Sequence, residues 1–293
     1  MSATLCQTSR RSIWAYPLGL ARRSPTFAIG FCTVGVFMLL AIFANVIAPY
    51  NPTQSFSYDV LHTPGEQFLF GSDGNGMDVL SRVIHGTRYA FGIAVPAGII
   101  MLAIGLPLGV VAGYKGGMVD EILLRILDIL RAFPTIILAL AVVAAAGQSL
   151  VSVVLVIGVL DSPIFARVVR AEVLALREAT FVKAAIAIGN PPWRIMLVHI
   201  LPNAILGATA QLPMRMAWAV RISATLAFIG VGIQAPAPEW GAMIRQGAEF
   251  VITGEWWVAV FPGLALMALV LGLNLLGDGL TDILDPRRRT TGK

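Results

Sequence analysis

Long uncharged apolar stretches alternate with polar, turn-forming stretches along the whole chain. The first apolar stretch, residues 26–48, is long enough to cross about 30 Å of hydrocarbon as a helix. Five further stretches of this kind predict transmembrane helices over residues 89–112, 122–146, 150–170, 204–232 and 256–277. The pattern therefore predicts an all-α membrane protein with six transmembrane helices.

The remaining residues predict two tails and a membrane core. Residues 1–25 form an arginine-bearing N-terminal tail without acidic residues, and residues 282–293 form a basic C-terminal tail. The span at 26–48 is interpreted as an uncleaved signal anchor, because its apolar run is too long for a signal peptide. Residues 89–281 then form the core, which contains spans two to six.

Two polar segments predict structure outside the bilayer. Residues 49–88 are rich in Gly, Pro, Asn and Asp, which predicts an external segment of turns with one short helix at 77–84. Residues 233–255 contain several prolines and glycines and predict a second turn-rich external segment. We expect both segments to lie on the same side of the membrane.

Composition supports the membrane assignment. The 293 residues are 57% hydrophobic and only 13% charged, and the mean hydropathy is +0.80, which is too apolar for an ordinary soluble domain. The net charge of +5 does not indicate a nucleic-acid partner, because the basic residues are spread over the inter-span segments and the tails. The partner that this distribution indicates is a lipid bilayer.

The positions of the basic residues predict the orientation. Of the 21 Lys and Arg residues, sixteen lie in the tails and inter-span segments on one side, three lie on the other side, and two lie within span five. Basic residues concentrate on the cytoplasmic side of membrane proteins. We therefore expect both termini in the cytoplasm.

Cysteine and histidine residues indicate no metal centre. Cys6 lies near the N-terminus and Cys32 lies inside an apolar run, so neither a disulfide framework nor a thiolate metal site is predicted. His62, His85 and His199 are far apart in the sequence. A lone histidine in such a position is more often a polar surface residue than a ligand.

Two aspartates in the first external segment allow two interpretations. Asp73 and Asp78 lie in a glycine-rich run and suggest a calcium loop, but they lack the full ligand spacing of an EF-hand. A turn whose aspartates accept hydrogen bonds from local backbone amides is the favoured interpretation.

The stretch 167–203 is basic and lies between two apolar spans. Good helix formers continue to residue 188, Gly189 interrupts them, Asn190 is placed to cap a second short helix, and Pro191 falls in its first turn, where a missing amide costs nothing. The small pair Ala184-Ala185 would allow another protein to approach closely. A helical connector without further function is the alternative.

Span five contains two arginines, Arg215 and Arg221, with Gln211, Trp218 and Ser223 nearby. An arginine within the membrane is costly and normally faces a bundle interior, a water-filled cavity or a partner. We interpret these residues as the lining of a polar translocation pathway, with a purely structural ion pair as the alternative.

The stretch 167–203 resembles the EAA loop of ABC importer permeases. The resemblance rests on the order Lys183-Ala184-Ala185, then Gly189, then His199-Ile-Leu-Pro-Asn203. Four more phrases in the right order resemble the C-type permease of dipeptide, oligopeptide and nickel importers: FGSDGNGMDVLSRVIHGTR, AGYKGGMVDEILLRILDILRAFP, FIGVGIQAPAPEWG and NLLGDGLTDILDPR.

This resemblance implies a multi-pass subunit of the bacterial cytoplasmic (inner) membrane. Its partners would be a homologous second permease in a heterodimer, two ATP-binding subunits and an extracytoplasmic solute-binding protein. The resemblance also implies that the loop docks into a cleft of the ATPase as a coupling helix between spans four and five. The residues placed there are Lys183, Ala184, Ala185, Gly189, Asn190, Pro191, Trp193 and Arg194.

The chain itself has no phosphate-binding loop of the form GxxxxGK[ST]. It is therefore expected to be a transport subunit and not an enzyme, with no cofactor of its own and with ATP and Mg on the partner ATPases. An intramembrane enzyme is disfavoured, because no HExxH or GxSxG motif occurs. A self-contained secondary transporter or channel is the alternative from a different class.

The sequence also departs from the family pattern. Lys183 stands where the family usually has a glutamate, and Met77 replaces a usual arginine. In span five the family usually has an acid near Ser223 and no arginine at the positions of Arg215 and Arg221. The resemblance implies di- or oligopeptides as substrates, with nickel chelates or another small solute as the alternative, and the two arginines favour a substrate with a carboxylate.

Overall fold

The computed structural model describes residues 24–284, which are mostly helical and contain no β-strand. Five helices in this range are long and apolar enough to cross a membrane, and a bent pair makes a sixth crossing if it counts as one span. The prediction of an all-α membrane protein is confirmed. In chain order the helices are α1 Pro25–Ile47, α2 Val79–Lys115, α3 Gly117–Arg131, α4 Thr135–Ala146, α5 Leu150–Arg177, α6 Thr180–Ala187, α7 Pro192–Ile229, α8 Trp240–Ala248 and α9 Trp257–Leu284.

Several helices extend beyond the predicted spans. Helix α2 begins at Val79, ten residues before the predicted start, because the Asp78 carboxylate accepts a hydrogen bond from the Ser81 amide at 2.8 Å and caps it there. The short helix predicted at 77–84 is therefore the first part of α2 and not a separate element. Hydropathy marks the thickness of the bilayer, whereas a hydrogen-bonded helix does not have to end at the bilayer surface.

The third span, predicted as one helix over 122–146, is broken in the structure. Helices α3 and α4 meet at an angle of 76°, and Pro134 lies at the break as the residue before α4. A proline has no amide to donate and disfavours a helical conformation in the residue before it, which explains why the helix stops here. Helix α4 is only about 18 Å long.

Helix α3 is amphipathic, and its charged face is turned towards α5. Arg170 of α5 donates through Nε to Asp120 at 2.6 Å, and Arg167 forms an ion pair with Asp128. These two bridges fix the direction in which the chain leaves α2 and enters the broken span.

The two segments outside the spans pack against the start of α2. Arg82 and Asp73 form a buried ion pair at 3.3 Å, and Arg82 also donates to the carbonyl of Pro52 at 3.0 Å. Asp73 accepts hydrogen bonds from the amides of Asn75 and Met77. Asp73 and Asp78, the cap of α2, therefore both accept hydrogen bonds from local backbone amides, as the turn interpretation predicted.

The second of these segments contains a helix that sequence analysis did not predict. Helix α8 begins at Trp240, whose side chain is buried and donates through Nε1 to the carbonyl of Val83 at 3.0 Å. The nine residues of α8 are too few to show a clear helical repeat of apolar residues. The neighbouring prolines and glycines therefore led to the prediction of turns.

Helices α2 and α5 pack closely against each other in the middle of the bundle. Gly105, Gly109 and Gly113 recur every fourth residue and lie on one face of α2. A Cβ atom added at Gly109 would lie 2.5 Å from the carbonyl oxygen of Ala166, and one added at Gly113 would lie 2.9 Å from the carbonyl oxygen of Arg170. Only glycine allows the two backbones to approach this closely.

We predict that Gly109→Ala destabilises the protein by about 1–3 kcal/mol, because the new methyl group forces α2 and α5 apart. The matched control is Gly92→Ala in the same helix, where the nearest atom to an added Cβ is Leu150 Cδ2 at 3.9 Å. That variant should be neutral or slightly stabilising. Thermal unfolding of the two purified variants compares them, and equal stability would contradict the packing argument.

Candidate functional site

The segment between α5 and α7 is packed onto one end of the bundle. Val182 and Ala185 of α6 are buried, with exposed fractions of 0% and 4%, and they contact one apolar cluster. The other buried members of this cluster come from α2, α5 and α7: Val110, Phe165, Val169, Val173, Ile195, Ile200, Ala204 and Ala208. Helix α6 is therefore anchored to these three helices by apolar packing.

A glycine in the left-handed conformation ends α6. Gly189 has φ of +82°, its amide donates to the carbonyl of Ile186 at 2.9 Å, and the amide of Asn190 donates to the carbonyl of Ala185 at 3.1 Å. These two bonds form a Schellman motif, which satisfies the last carbonyl groups of the helix.

The predicted cap of the next helix is wrong by one residue. Pro191 occupies the N-cap position of α7 without a side-chain hydrogen bond, and Pro192 is the first helical residue. Asn190 lies one residue before this position, and its amide closes α6. A proline has no amide, so the start of α7 needs one fewer partner.

The second short helix is not separate from span five. Helix α7 runs without a break from Pro192 to Ile229, through a π-helical turn at Ile195–Ile200. In this turn the amide of Leu201 donates to the carbonyl of Met196. Pro202 explains the wider turn, since its ring would clash with the carbonyl four residues earlier in a regular helix.

The exposed surface of this segment is mainly apolar. Four large side chains protrude from it, and we call them the inner apolar patch: Phe181, Ile186, Ile188 and Trp193. Ile188 is 79% exposed and Trp193 is 60% exposed. Sequence analysis named only Trp193 of these four, although apolar residues in a charged segment outside the spans were a usable signal.

The other residues predicted for this segment differ in exposure. Ala184 and Arg194 are exposed, whereas Ala185 is buried.

The Lys183 ammonium lies 3.0 Å from a carboxylate oxygen of Glu178. Its hydrogen bond lowers the pKa of that carboxyl. Lys183 therefore has an acidic partner within its own segment.

In the middle of the bundle, Arg215 of α7 faces an acid that sequence analysis did not single out. Its Nη1 atom lies 3.7 Å from Oδ1 of Asp161 on α5, and the Asp161 side chain has an exposed fraction of 0%. Within residues 24–284, both carboxylate oxygens of Asp161 and Nε of Arg215 are buried without a hydrogen-bond partner. A lone acid inside the apolar fourth span was the signal that could have found this residue.

The five residues predicted to line a pathway do not form one surface. Gln211 and Trp218, four residues before and three after Arg215, share its helix face and are half-buried. Arg221 is exposed and lies about 120° further around the helix. Ser223 is buried and lines a separate small cavity near α8.

Comparison with known proteins identifies the family. Residues 105–290 match the family described as the binding-protein-dependent transport system inner membrane component. Residues 21–64 match the N-terminal transmembrane domain of oligopeptide transport permease C. The chain belongs to this permease family.

Individual relatives match the permease over most of their length. The dipeptide transport system permease protein DppC of Alkalihalophilus pseudofirmus is 37% identical over 95% of the permease and 91% of the relative. The glutathione transport system permease protein GsiD of Escherichia coli is 43% identical over 87% of the permease and 86% of the relative. The resemblance to C-type permeases of peptide importers is confirmed.

A solved structure shares the fold. A chain of the MetNI methionine ABC transporter, determined in inward-facing conformations, superposes with a TM-score of 0.55 over 70% of the permease and 96% of that chain, at 21% identity. This likeness shows a common helical architecture. The permease is thus a multi-pass membrane protein with the fold of an ABC transporter subunit.

A buried glutamate lies beside the cavity that Ser223 lines. Glu239 caps α8 and accepts a hydrogen bond from the amide of Ala242 at 2.8 Å. Its carboxyl faces a cavity with room for about one water molecule. Burial raises the pKa of Glu239 to about 7, from its ordinary value of 4.5.

We predict that Glu239 makes the permease less stable as the pH rises from about 4.5 to about 7. In this window the folded state keeps the proton that the unfolded state has lost, so the free energy of unfolding falls, by roughly 3 kcal/mol at most, and then levels off. Glu239→Gln should remove this part of the pH dependence, as measured by thermal unfolding at pH 5 and 7.5.

The control is Glu249→Gln, which changes an exposed glutamate at the other end of α8. It should keep the pH dependence of the unchanged permease. If Glu239→Gln gave the same pH dependence as this control, the buried carboxyl would not be the group responsible.

Proposed function

We propose that the permease forms half of the membrane pathway of an ATP-driven importer of di- or oligopeptides. The observation that carries the proposal is the similarity over 95% of the chain to a dipeptide permease. The similarity to glutathione permeases supports the same class of substrate, because glutathione is itself a small peptide. An extracytoplasmic solute-binding protein delivers the peptide to the outer face.

The energy for transport comes from partner subunits. The sequence has no phosphate-binding loop, so we place ATP and Mg on two ATP-binding subunits. A homologous second permease supplies the other half of the pathway. The excess of basic residues on one side supports cytoplasmic termini and an ATPase on the side of α6.

The inner apolar patch is the surface that we assign to the ATPase. Large apolar side chains exposed at the end of a membrane bundle indicate a protein interface. Lys183 and Arg194 lie beside the patch, and Gly189 and Asn190 end the short helix that presents it. The buried side of α6 anchors this surface to α5 and α7.

Helix α7 provides the mechanical link from this surface to the membrane interior. It runs continuously from Pro192 beside the patch to Ile229 at the other end of the bundle, and Arg215 lies about 34 Å along it. A displacement of the patch by the ATPase is therefore transmitted directly to the residues that share one face of α7 and that we assign to the pathway, Gln211, Arg215 and Trp218.

We predict that Gly189→Val lowers the recovery of the ATPase subunits with the purified permease roughly tenfold, because a side chain disfavours the left-handed backbone and distorts the end of α6. Insertion into the membrane should be unchanged. Co-purification of the subunits, normalised to the amount of permease, measures the effect.

Gly254→Val is the matched control. Gly254 also has a positive φ, of +110°, and like Gly189 it has no neighbouring atom within 4 Å of an added Cβ, but it lies on the other side of the bundle. The two variants carry a similar backbone penalty. Equal loss of ATPase from both would show that the effect is a general loss of stability.

Reconstitution tests the function itself. Proteoliposomes that contain the permease, its partner permease, the ATPases and the binding protein should accumulate a labelled dipeptide only with ATP. Proteoliposomes that contain this chain alone should not transport it. ATP-independent uptake by the chain alone would favour a secondary transporter or channel and would contradict the proposal.

A further inference from the structure

We propose that Asp161 holds Arg215 in the empty permease and releases it to the carboxylate of a substrate, so that Arg215 selects peptides with a free C-terminus. The inference rests on the proposed function and deepens it, because it names the substrate group and the residue that binds it. Asp161 acts as a positioning residue whose effect passes through Arg215.

Both residues lie in the middle part of the predicted spans four and five. Asp161 is about 16 Å along α5 from Leu150, and Arg215 is about 21 Å along α7 from Ile229. With about 30 Å of hydrocarbon to cross, neither charge can reach the aqueous phase at the bilayer surface. Intramembrane charges at this depth usually serve a pathway or a ligand.

The pair is electrostatically matched but incomplete. The separation of 3.7 Å is longer than a hydrogen bond, and three buried polar atoms of the pair have no hydrogen-bond partner among the described residues. Buried polar atoms are normally satisfied. The guanidinium therefore keeps free donors, and a carboxylate can accept two hydrogen bonds from it at once.

Release of Arg215 does not leave Asp161 without a counter-charge. Arg131, at the end of α3 beside the break in the third span, also acts electrostatically on Asp161. Arg131 is exposed and forms no ion pair with Asp161, so it acts on the carboxylate only over a longer distance.

The exposure of the two side chains determines which one a substrate reaches. Asp161 is completely buried, whereas 23% of the Arg215 side chain is exposed. The accessible part lies on the helix face that also carries Gln211 and Trp218. A peptide on this face therefore reaches the arginine and not Asp161.

The test compares uptake of alanyl-alanine with uptake of its C-terminal amide by the complete importer in proteoliposomes. The readout is the ratio of the two rates. The amount of inserted permease is the same for both peptides and cancels in the ratio. The preference of the binding protein is the same for all permease variants, so it cancels when each variant is compared with the unchanged permease.

Arg215→Gln should lower this ratio by about tenfold, the effect of losing a hydrogen bond between charged groups. Asp161→Asn should raise it, because the competing carboxylate is gone. The double variant should match Arg215→Gln, since Asp161 acts through the arginine. Arg125→Gln is the control, because it removes an exposed arginine that pairs with Glu121 on α3, and it should leave the ratio unchanged.

A purely structural ion pair gives a different result. Both single variants would then reduce the amount of folded protein, and the ratio would stay the same in all of them, which would overturn the proposal. An effect of Asp161→Asn in the Arg215→Gln background would also contradict it, because the aspartate would then act independently of the arginine.

A second measurement does not depend on transport. In purified complex with Cys6 and Cys32 replaced by serine, Gln211→Cys places a thiol one turn from Arg215. Alanyl-alanine should slow its reaction with a thiol reagent more than the amide does, and Arg215→Gln should abolish the difference. Equal protection by both peptides would refute the carboxylate site, whereas absence of ATP-dependent uptake of either peptide would refute the proposed function.

Discussion

The close packing of α2 against α5 is the constraint on which the rest of the permease depends. Lipid offers no hydrophobic drive for helix association, so contact between backbones has to supply it. The glycines at 105, 109 and 113 allow that contact. Helix α5, once fixed, carries the two arginines that bridge to α3, the apolar residues that hold α6 and the carboxylate that faces α7.

Apolar windows identified the membrane-crossing segments because the bilayer imposes a minimum length on them. The break at Pro134 was missed, since prolines such as Pro96 and Pro107 lie inside α2 without ending it. Pro96 and Pro107 differ from Pro134 in their tertiary environment, which supplies new hydrogen-bond partners for the backbone groups that a proline leaves free. The local sequence does not show this environment.

The candidate site could be predicted only in part for a related reason. The cost of an intramembrane arginine indicated Arg215 correctly as a residue that needs a partner. That partner, Asp161, is on another helix, and no periodicity links the two positions. Sequence proximity also grouped Arg221 and Ser223 with Arg215, although the helical repeat turns them towards different surroundings.

Lys183 replaces the glutamate expected from the resemblance, and its local pairing explains how the segment tolerates the change. The ammonium contacts Glu178, and both side chains are more than half exposed. The acid thus lies five residues before the lysine. An exposed pair of this kind contributes little to stability. Its main effect is to reduce the net charge beside Phe181 and Ile186, which fits the apolar contact that we propose between this surface and the ATPase.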